Sequence, residues 1–201
     1  IPASLIWPYR GNHYPQYRLY LSYTAARNRS KIIAMKVLHL MRHAKSAWDE
    51  PRLSDRQRGL NKRGRRAAPR MGAALACRES PRVVAVSPAR RAQLTLAGLC
   101  DGWPELAEIE HQTVEDLYTF DSDDLQHWLR RQPDSRSELF IIGHNPALTD
   151  LVNELAPAAG LVNLPTAGYV QLRLAVDQWS ELGPGIGTVA YSLYPRDLAE
   201  G

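Results

Sequence analysis

Arg42 and His43 stand side by side where the apolar run "VLHLM" ends, and Lys45 follows two residues on. Further along, "SPARRAQLT" sets Arg90 and Arg91 behind a second apolar run, "VEDLYTF" offers Glu115 and Asp116, and "IIGHNPALTD" sets His144 behind a third. A guanidinium is a planar, permanently charged fork of donors that suits phosphate oxygens. A neutral imidazole is a competent nucleophile toward phosphorus, and a second, protonated one can stabilise the equatorial oxygens. A carboxylic acid nearby could protonate a leaving group. Brought together, these residues would form a pocket for a dianion such as a phosphoryl group. A solitary histidine is more often a hydrogen-bonded core or surface residue, and His13, His39, His111 and His127 are read that way. His39 and His43 share a face of the run, a spacing that can hold a metal, but no Cys or acidic residue is suitably spaced beside them, so no metal or other cofactor is expected.

The elements that must position these groups alternate between strand and helix. "KVLHLM", "PRVVAVS", "AEIEHQTVE" and "ELFIIGH" read as strands. Between and after them, "NKRGRRAAPRMGAALACRE" reads as an amphipathic helix with Leu60, Ala67, Met71 and Leu75 on its apolar side. "PARRAQLTLAGLC" reads as a helix with Pro88 in its first turn, and "SDDLQHWLRRQ" as one capped by Ser122. "NPALTDLVNELA" reads as a helix capped by Asn145 with Pro146 at its first position. "AGYVQLRLAV" and "GTVAYSLY" are closing alternating strands. Strands separated by helices predict an α/β protein, a three-layer α/β/α sandwich around a mostly parallel sheet. Ligands of such sheets bind outside the carboxyl ends of the strands. Arg42–His43, Ser87–Arg91, Glu115–Asp116 and Gly143–Asn145 each follow a different strand at that edge.

The chain of 201 residues is 44% apolar and carries a formal charge of +4, with a mean hydropathy of −0.37. One domain is expected, and no apolar run approaches the ~18 residues of a membrane helix. Two cysteines, Cys77 and Cys100, lie outside any CxxC or Cys/His cluster. They predict buried thiols in a reducing cytoplasm rather than a disulfide framework. Much of the basicity lies between Arg52 and Arg70. Its bland reading is a solvated helix face; its functional reading is a surface that guides an acidic partner or phosphorylated ligand, testable by charge reversal at Arg65 and Arg66. No aromatics interleave with these arginines, so a nucleic-acid stacking platform is not expected. Residues 1–34 scatter Tyr, Pro and Arg without period, and Met35 opens the first strand. The expected domain is therefore 35–201, with 1–34 a non-native or disordered extension.

Three stretches carry a family resemblance. "LMRHAKSAW", "SPARRAQLT" and "IIGHNPALTDLV" together resemble the histidine phosphatase, or phosphoglycerate mutase-like, superfamily and in particular its short SixA-type branch of phosphohistidine phosphatases. "DEPRLSDRQRGLNKRGRRAAPRMG" and "LPTAGYVQLRL" resemble that branch too. The resemblance implies that His43 is the nucleophile that becomes phosphorylated, that Arg42 and Arg91 bind phosphoryl oxygens, and that His144 completes the pocket. It selects Arg91 over Arg90, because the family's arginine stands four residues after the serine and four before the threonine. It implies metal-independent catalysis, and as substrate a phosphohistidine-bearing signalling protein or, alternatively, a small phosphorylated metabolite. The chain departs from the superfamily in having Ala44 where a glycine is usual and "SAWDE" where larger members often have an Asn; Asp49 there would repel a phosphate and is not expected to face the pocket. The general acid stays open between Glu115, Asp116 and none; the residue before "LY" in the branch favours Asp116, and neighbours on a strand cannot both face one site.

Overall fold

The computed structural model describes residues 35–79 and 81–198. The expected extension at 1–34 and His13 within it lie outside the described residues. Six strands form one sheet: β1 (Lys36–Arg42), β2 (Val83–Val86), β3 (Glu110–Thr113), β4 (Glu138–Gly143), β5 (Tyr169–Leu174) and β6 (Gly187–Leu193). Four helices connect them: α1 (Lys62–Ala76), α2 (Arg90–Gly102), α3 (Ser122–Arg130) and α4 (Ala147–Leu155). The strand order is β3-β2-β4-β1-β5-β6. The first four of these are mutually parallel, and β5 and β6 close the sheet antiparallel. The α/β class and the mostly parallel sheet are as the alternation of signals predicts.

Period-two alternation decides which residues serve which face. Met41, Val84, Val86, Phe140 and Ile142 pack under α1 and α2, against Ala68, Met71, Leu75, Leu96 and Leu99. Leu38, Leu40, Leu139 and Ile141 pack under α3 and α4, against Leu125, Leu129, Leu148, Leu151 and Leu155. These two cores make the three layers. The same parity sends Arg42 toward the α3–α4 side and His43 toward α2. The edge strands β3 and β6 are largely exposed, whereas β1, β2 and β4 are buried.

Close backbone approach fixes which side of α1 faces the loop after β1. A Cβ on Gly64 would stand 2.3 Å from the Lys45 carbonyl oxygen, and one on Gly72 would stand 2.2 Å from that of Leu99. Glycine at these two places lets α1 lie directly on the loop after β1 and on α2. Asn61 caps α1 by accepting from the Gly64 N–H, and its own N–H donates to the Lys45 carbonyl, 3.0 Å.

Several boundaries differ from the sequence reading. Ala68 is the fully buried alanine of α1, and Ala67 is half-buried at the margin of the same core. Asp121 rather than Ser122 caps α3, its carboxylate accepting from the Asp123 N–H. Helix α2 begins at Arg90 with Pro88 outside it, and α4 begins at Ala147 with Pro146 in the cap position. Asn145 is freed from capping, and its amide donates to Thr149 Oγ1 and the Leu164 carbonyl instead. The third strand stops at Thr113, because buried Leu117 draws the chain inward through a 3-10 turn, Glu115–Leu117. Cys77 is exposed at the end of α1 and Cys100 is half-buried, so neither is the buried thiol expected.

Candidate active site

The parallel strands end together, and their loops are tied to one another. The His43 N–H donates to the Gly143 carbonyl at the end of β4, 3.0 Å, which holds His43 beside His144. The two imidazole centroids are 5.1 Å apart. Ala167, with φ of 59°, donates its N–H to the Arg42 and His43 carbonyls from the turn before β5. Thr95 on α2 grips the loop from the other side. Its hydroxyl accepts from the Ala44 N–H at 2.9 Å and donates to the Arg91 carbonyl at 2.6 Å. The spacing of arginine and threonine in "SPARRAQLT" thus has a physical purpose: one turn of helix carries both the guanidinium and the clamp on the residue after His43.

Arg91 is the hub, 4% exposed. Its Nε donates to His43 Nε2 at 3.2 Å, and its Nη2 approaches His144 Nδ1 at 3.3 Å. Nη1 donates to the Asp55 carbonyl at 2.6 Å and Nη2 to the Asp55 carboxylate at 2.9 Å. Tyr118 donates its hydroxyl to the same carboxylate oxygen, 2.8 Å.

These contacts assign the tautomers. A guanidinium only donates, so His43 Nε2 and His144 Nδ1 are acceptors. His43 therefore carries its proton on Nδ1 and donates it to the Ala44 carbonyl, 2.7 Å. His144 carries its proton on Nε2 and donates it to Ser87 Oγ, 2.8 Å. Ser87 Oγ also accepts from the Ala89 N–H. Burial, chiefly, pushes the His43 pKa down to about 4; the Ala44 bond opposes this, and the positive charges of Arg91 and Arg42 reinforce it. Burial also pushes His144 down to about 3, with His43 and Arg91 adding to the effect. Both imidazoles are neutral near pH 7. For His144 this departs from the protonated partner expected, because burial penalises its charged form and His43, Arg91 and Arg42 add to that against the opposing charge of Asp55.

Arg42 stands on the opposite side of the strand end. Its Nη1 donates to the Leu164 carbonyl at 2.8 Å and lies 3.4 Å from Asn163 Oδ1. Its Nε is buried with no hydrogen-bond partner. Burial lowers its pKa. A buried, unpartnered guanidinium N–H is a donor that an oxyanion would satisfy.

The structure thus brings His43, Arg91 and His144 into one hydrogen-bonded set and keeps Arg42 at its edge. It does not do the same for the two acids considered. Asp116 is paired with Arg131 at 2.5 Å, and Glu115 with Arg56 at 2.6 Å. Both sit on the 3-10 turn, not on a strand, so facing by strand parity does not choose between them. The carboxylate that reaches the site is Asp55, which sequence reasoning passed over. Burial by itself would raise its pKa, but hydrogen bonds from Tyr118 and Arg91 and the charges of Arg91 and Arg58 outweigh this and hold it below the usual range. Tyr118 and Phe120 were also missed; Phe120 is exposed and its ring lies 5.5 Å from that of His144. Tyr118 and Phe120 stand two and four residues after Asp116, and Asp55 lies in the basic stretch, where a solitary carboxylate among cations was the available signal. Asp49 is exposed.

The profile of the histidine phosphatase superfamily (branch 1) matches residues 38–147, which span β1, α2 and the His144 loop. The chain belongs to the histidine phosphatase superfamily. Its fold is shared by a protein described as the phosphohistidine phosphatase SixA from Nakamurella multipartitia, with a TM-score of 0.68 and 22% identity over 80% of this chain and 96% of that one. The protein histidine phosphatase SixA complexed with tungstate superposes with a TM-score of 0.65 at 24% identity, over 81% and 99% of the two chains. Phosphoglycerate mutase from Bacillus anthracis shares the fold more distantly, with a TM-score of 0.60 at 13% identity over 77% and 91%. No curated protein matches by sequence. Among the described residues, no helix is long and apolar enough to cross a membrane.

Proposed function

We propose that this histidine phosphatase superfamily member is a metal-independent phosphatase that works through a phosphohistidine at His43 Nε2. The observation that carries this reading is the His43 tautomer. With Nδ1–H committed to the Ala44 carbonyl, the Nε2 lone pair points at Arg91, and a pKa of about 4 keeps it available at neutral pH.

In the first step the Nε2 lone pair attacks phosphorus and the bond from phosphorus to the leaving atom breaks, its electron pair staying on the leaving group, which departs neutral with a proton taken from water. Arg91 passes its Nε–H from the lone pair to a phosphoryl oxygen, and Arg42 supplies its unpartnered Nε–H. The dianion also reverses the electrostatics at His144, whose protonation it favours. In the second step water attacks phosphorus, the Nε2–P bond breaks, phosphate departs and the water proton is released. Asp55 holds Arg91 and Tyr118 in place.

The substrate class that fits best is phosphohistidine on a cytoplasmic signalling protein. Its leaving imidazole departs without strong acid assistance, consistent with Glu115 and Asp116 being engaged elsewhere and Asp55 being ionised. The SixA neighbours, one of which binds the oxyanion tungstate, support this choice by fold. A small phosphorylated metabolite would use the same machinery. A non-catalytic phosphate reader would have no need of a nucleophile with a freed lone pair.

The test is turnover of p-nitrophenyl phosphate and of a phosphohistidine-bearing protein, with EDTA present, by wild type and His43→Ala. Wild type should turn over both, the protein substrate with the higher kcat/KM, and quenching in alkaline denaturant, where the P–N bond survives, should trap phosphate on His43. Equal turnover by His43→Ala would sink the mechanism, and preference for p-nitrophenyl phosphate would sink the protein substrate.

A further inference from the structure

A second cationic concavity lies beside the catalytic loop. It encloses about 390 Å³ and is lined, among the described residues, by Lys45, Arg63, Arg66, Arg70 and Thr166 together with Ala67 and Pro195; Arg70 also donates to the Leu198 carbonyl. Lys45 is two residues beyond the nucleophile, and Thr166 precedes Ala167, whose N–H bonds the Arg42 and His43 carbonyls. Both walls are therefore fixed to the backbone that carries the site. Arg63, Arg66 and Arg70 follow the i, i+3, i+7 pattern that aligns side chains along one helix face. At 1.5 Å per residue the stripe is ~10 Å long.

This arrangement carries an electrostatic cost. The cations repel one another, and two of them sit in the first turn and a half of α1, where the helix dipole disfavours positive charge. The first turn of α1 holds no acidic residue to offset it. Arg65, by contrast, is not part of the lining, so the two adjacent arginines differ in role.

We propose that this pocket is a docking site for an acidic segment of the phosphorylated protein, a proposal that rests on the protein-phosphatase reading. A single phosphate would engage one or two of the cations, whereas a run of Asp and Glu side chains spaced along a peptide matches a stripe of this length. Docking there holds a neighbouring phosphohistidine at His43 by raising its effective concentration. The pocket thereby supplies the choice of partner, while the catalytic pocket reads only the phosphoryl group.

The test uses the full chain and its Arg63→Glu/Arg66→Glu variant; both residues are exposed and outside the catalytic hydrogen-bond set. Two peptides carry phosphohistidine flanked either by Asp and Glu or by Asn and Gln at the same places. Wild type should favour the acidic peptide by about tenfold in kcat/KM, and the variant should lose that preference while turning over p-nitrophenyl phosphate as before. Equal turnover of the two peptides by wild type, or a preference that survives the double reversal, overturns the proposal. If neither peptide is cleaved although p-nitrophenyl phosphate is, the protein-substrate reading fails by itself. The pocket is then decided by fluorescence anisotropy with a labelled acidic peptide lacking phosphate. Binding by wild type that the variant loses sustains the site. No binding by wild type, or binding of tripolyphosphate but not of the peptide, overturns it.

Discussion

Thr95→Val is the sharpest test of how His43, the proposed nucleophile, is held. Thr95 is fully buried, and its hydroxyl joins the Ala44 N–H to the Arg91 carbonyl. Valine keeps the shape but removes both hydrogen bonds. The Arg91 carbonyl retains its helical partner, so the loss falls on the Ala44 N–H, a buried donor left unsatisfied. Such a group costs ~1–3 kcal/mol. For a chain of this size that lowers Tm by roughly 4–8 °C at the middle of the range. Activity should fall further than stability implies. Ala44 is the residue whose carbonyl accepts the His43 Nδ1–H, so a loosened Ala44 lets both the tautomer and the aim of Nε2 drift. A displacement of that kind can cost on the order of 10²-fold in rate. Thermal unfolding and kcat/KM toward p-nitrophenyl phosphate measure the two effects, with Thr95→Ser as the control. Serine keeps the hydroxyl and loses a methyl, worth ~1 kcal/mol, and should keep kcat/KM near wild type. If serine damages catalysis as much as valine, the hydroxyl clamp is not what holds the nucleophile.

Three further outcomes follow from the same geometry. The pKa values of His43 and His144 lie near 4 and 3, below the ~6.5 of an unfolded chain. The unfolded state therefore binds more protons in that interval, and the stability they contribute is full above pH ~6.5 and lost as pH falls toward 4, by ~3 kcal/mol for His43 alone. Urea unfolding across this range checks it, and flat stability refutes it; the acid limb of kcat/KM, corrected for substrate ionisation, should likewise lie near pH 4. Asp55→Asn removes the charge that fixes Arg91, so kcat should drop about tenfold, while inhibition by tungstate tightens because a negative charge leaves the pocket edge. Weakening of both would reduce Asp55 to a purely structural role. Gly64→Ala would push a methyl group against the Lys45 carbonyl. It should destabilise by ~2 kcal/mol and lower kcat/KM, because α1 then retreats from the catalytic loop; unchanged unfolding would refute the close approach.

The order of strands and helices was legible in the sequence, and so was the placing of Arg42, His43, Arg91 and His144 at strand ends on one sheet edge. Each was legible because local signals coincide there. An apolar run that ends in a charged group marks a strand end, and a parallel sheet puts all such ends on one edge. The choice of Arg91 over Arg90 came from the family resemblance, which sets the arginine four residues from Ser87 and from Thr95; the reason for that spacing lies in the Thr95 clamp.

Only the tertiary structure decided the rest. Asp55 meets Arg91 across 36 residues, and Tyr118 meets Asp55 across 63. No local period encodes such pairings, which depend on how loops from different strands fold over a common edge. The protonation of His144 was beyond sequence for a related reason: a pKa reports burial and neighbouring charge, and both are properties of the assembled site. Asp116 shows the converse. Its place before "LY" gave it the local context of a general acid, but the turn set by buried Leu117 leaves its carboxylate with Arg131. The basic stretch, one undivided run in the sequence, is divided by the helix. Arg63, Arg66 and Arg70 come to share a pocket with Lys45, and Arg65 turns elsewhere, because α1 repeats every 3.6 residues and the loop after β1 packs against only one side of it.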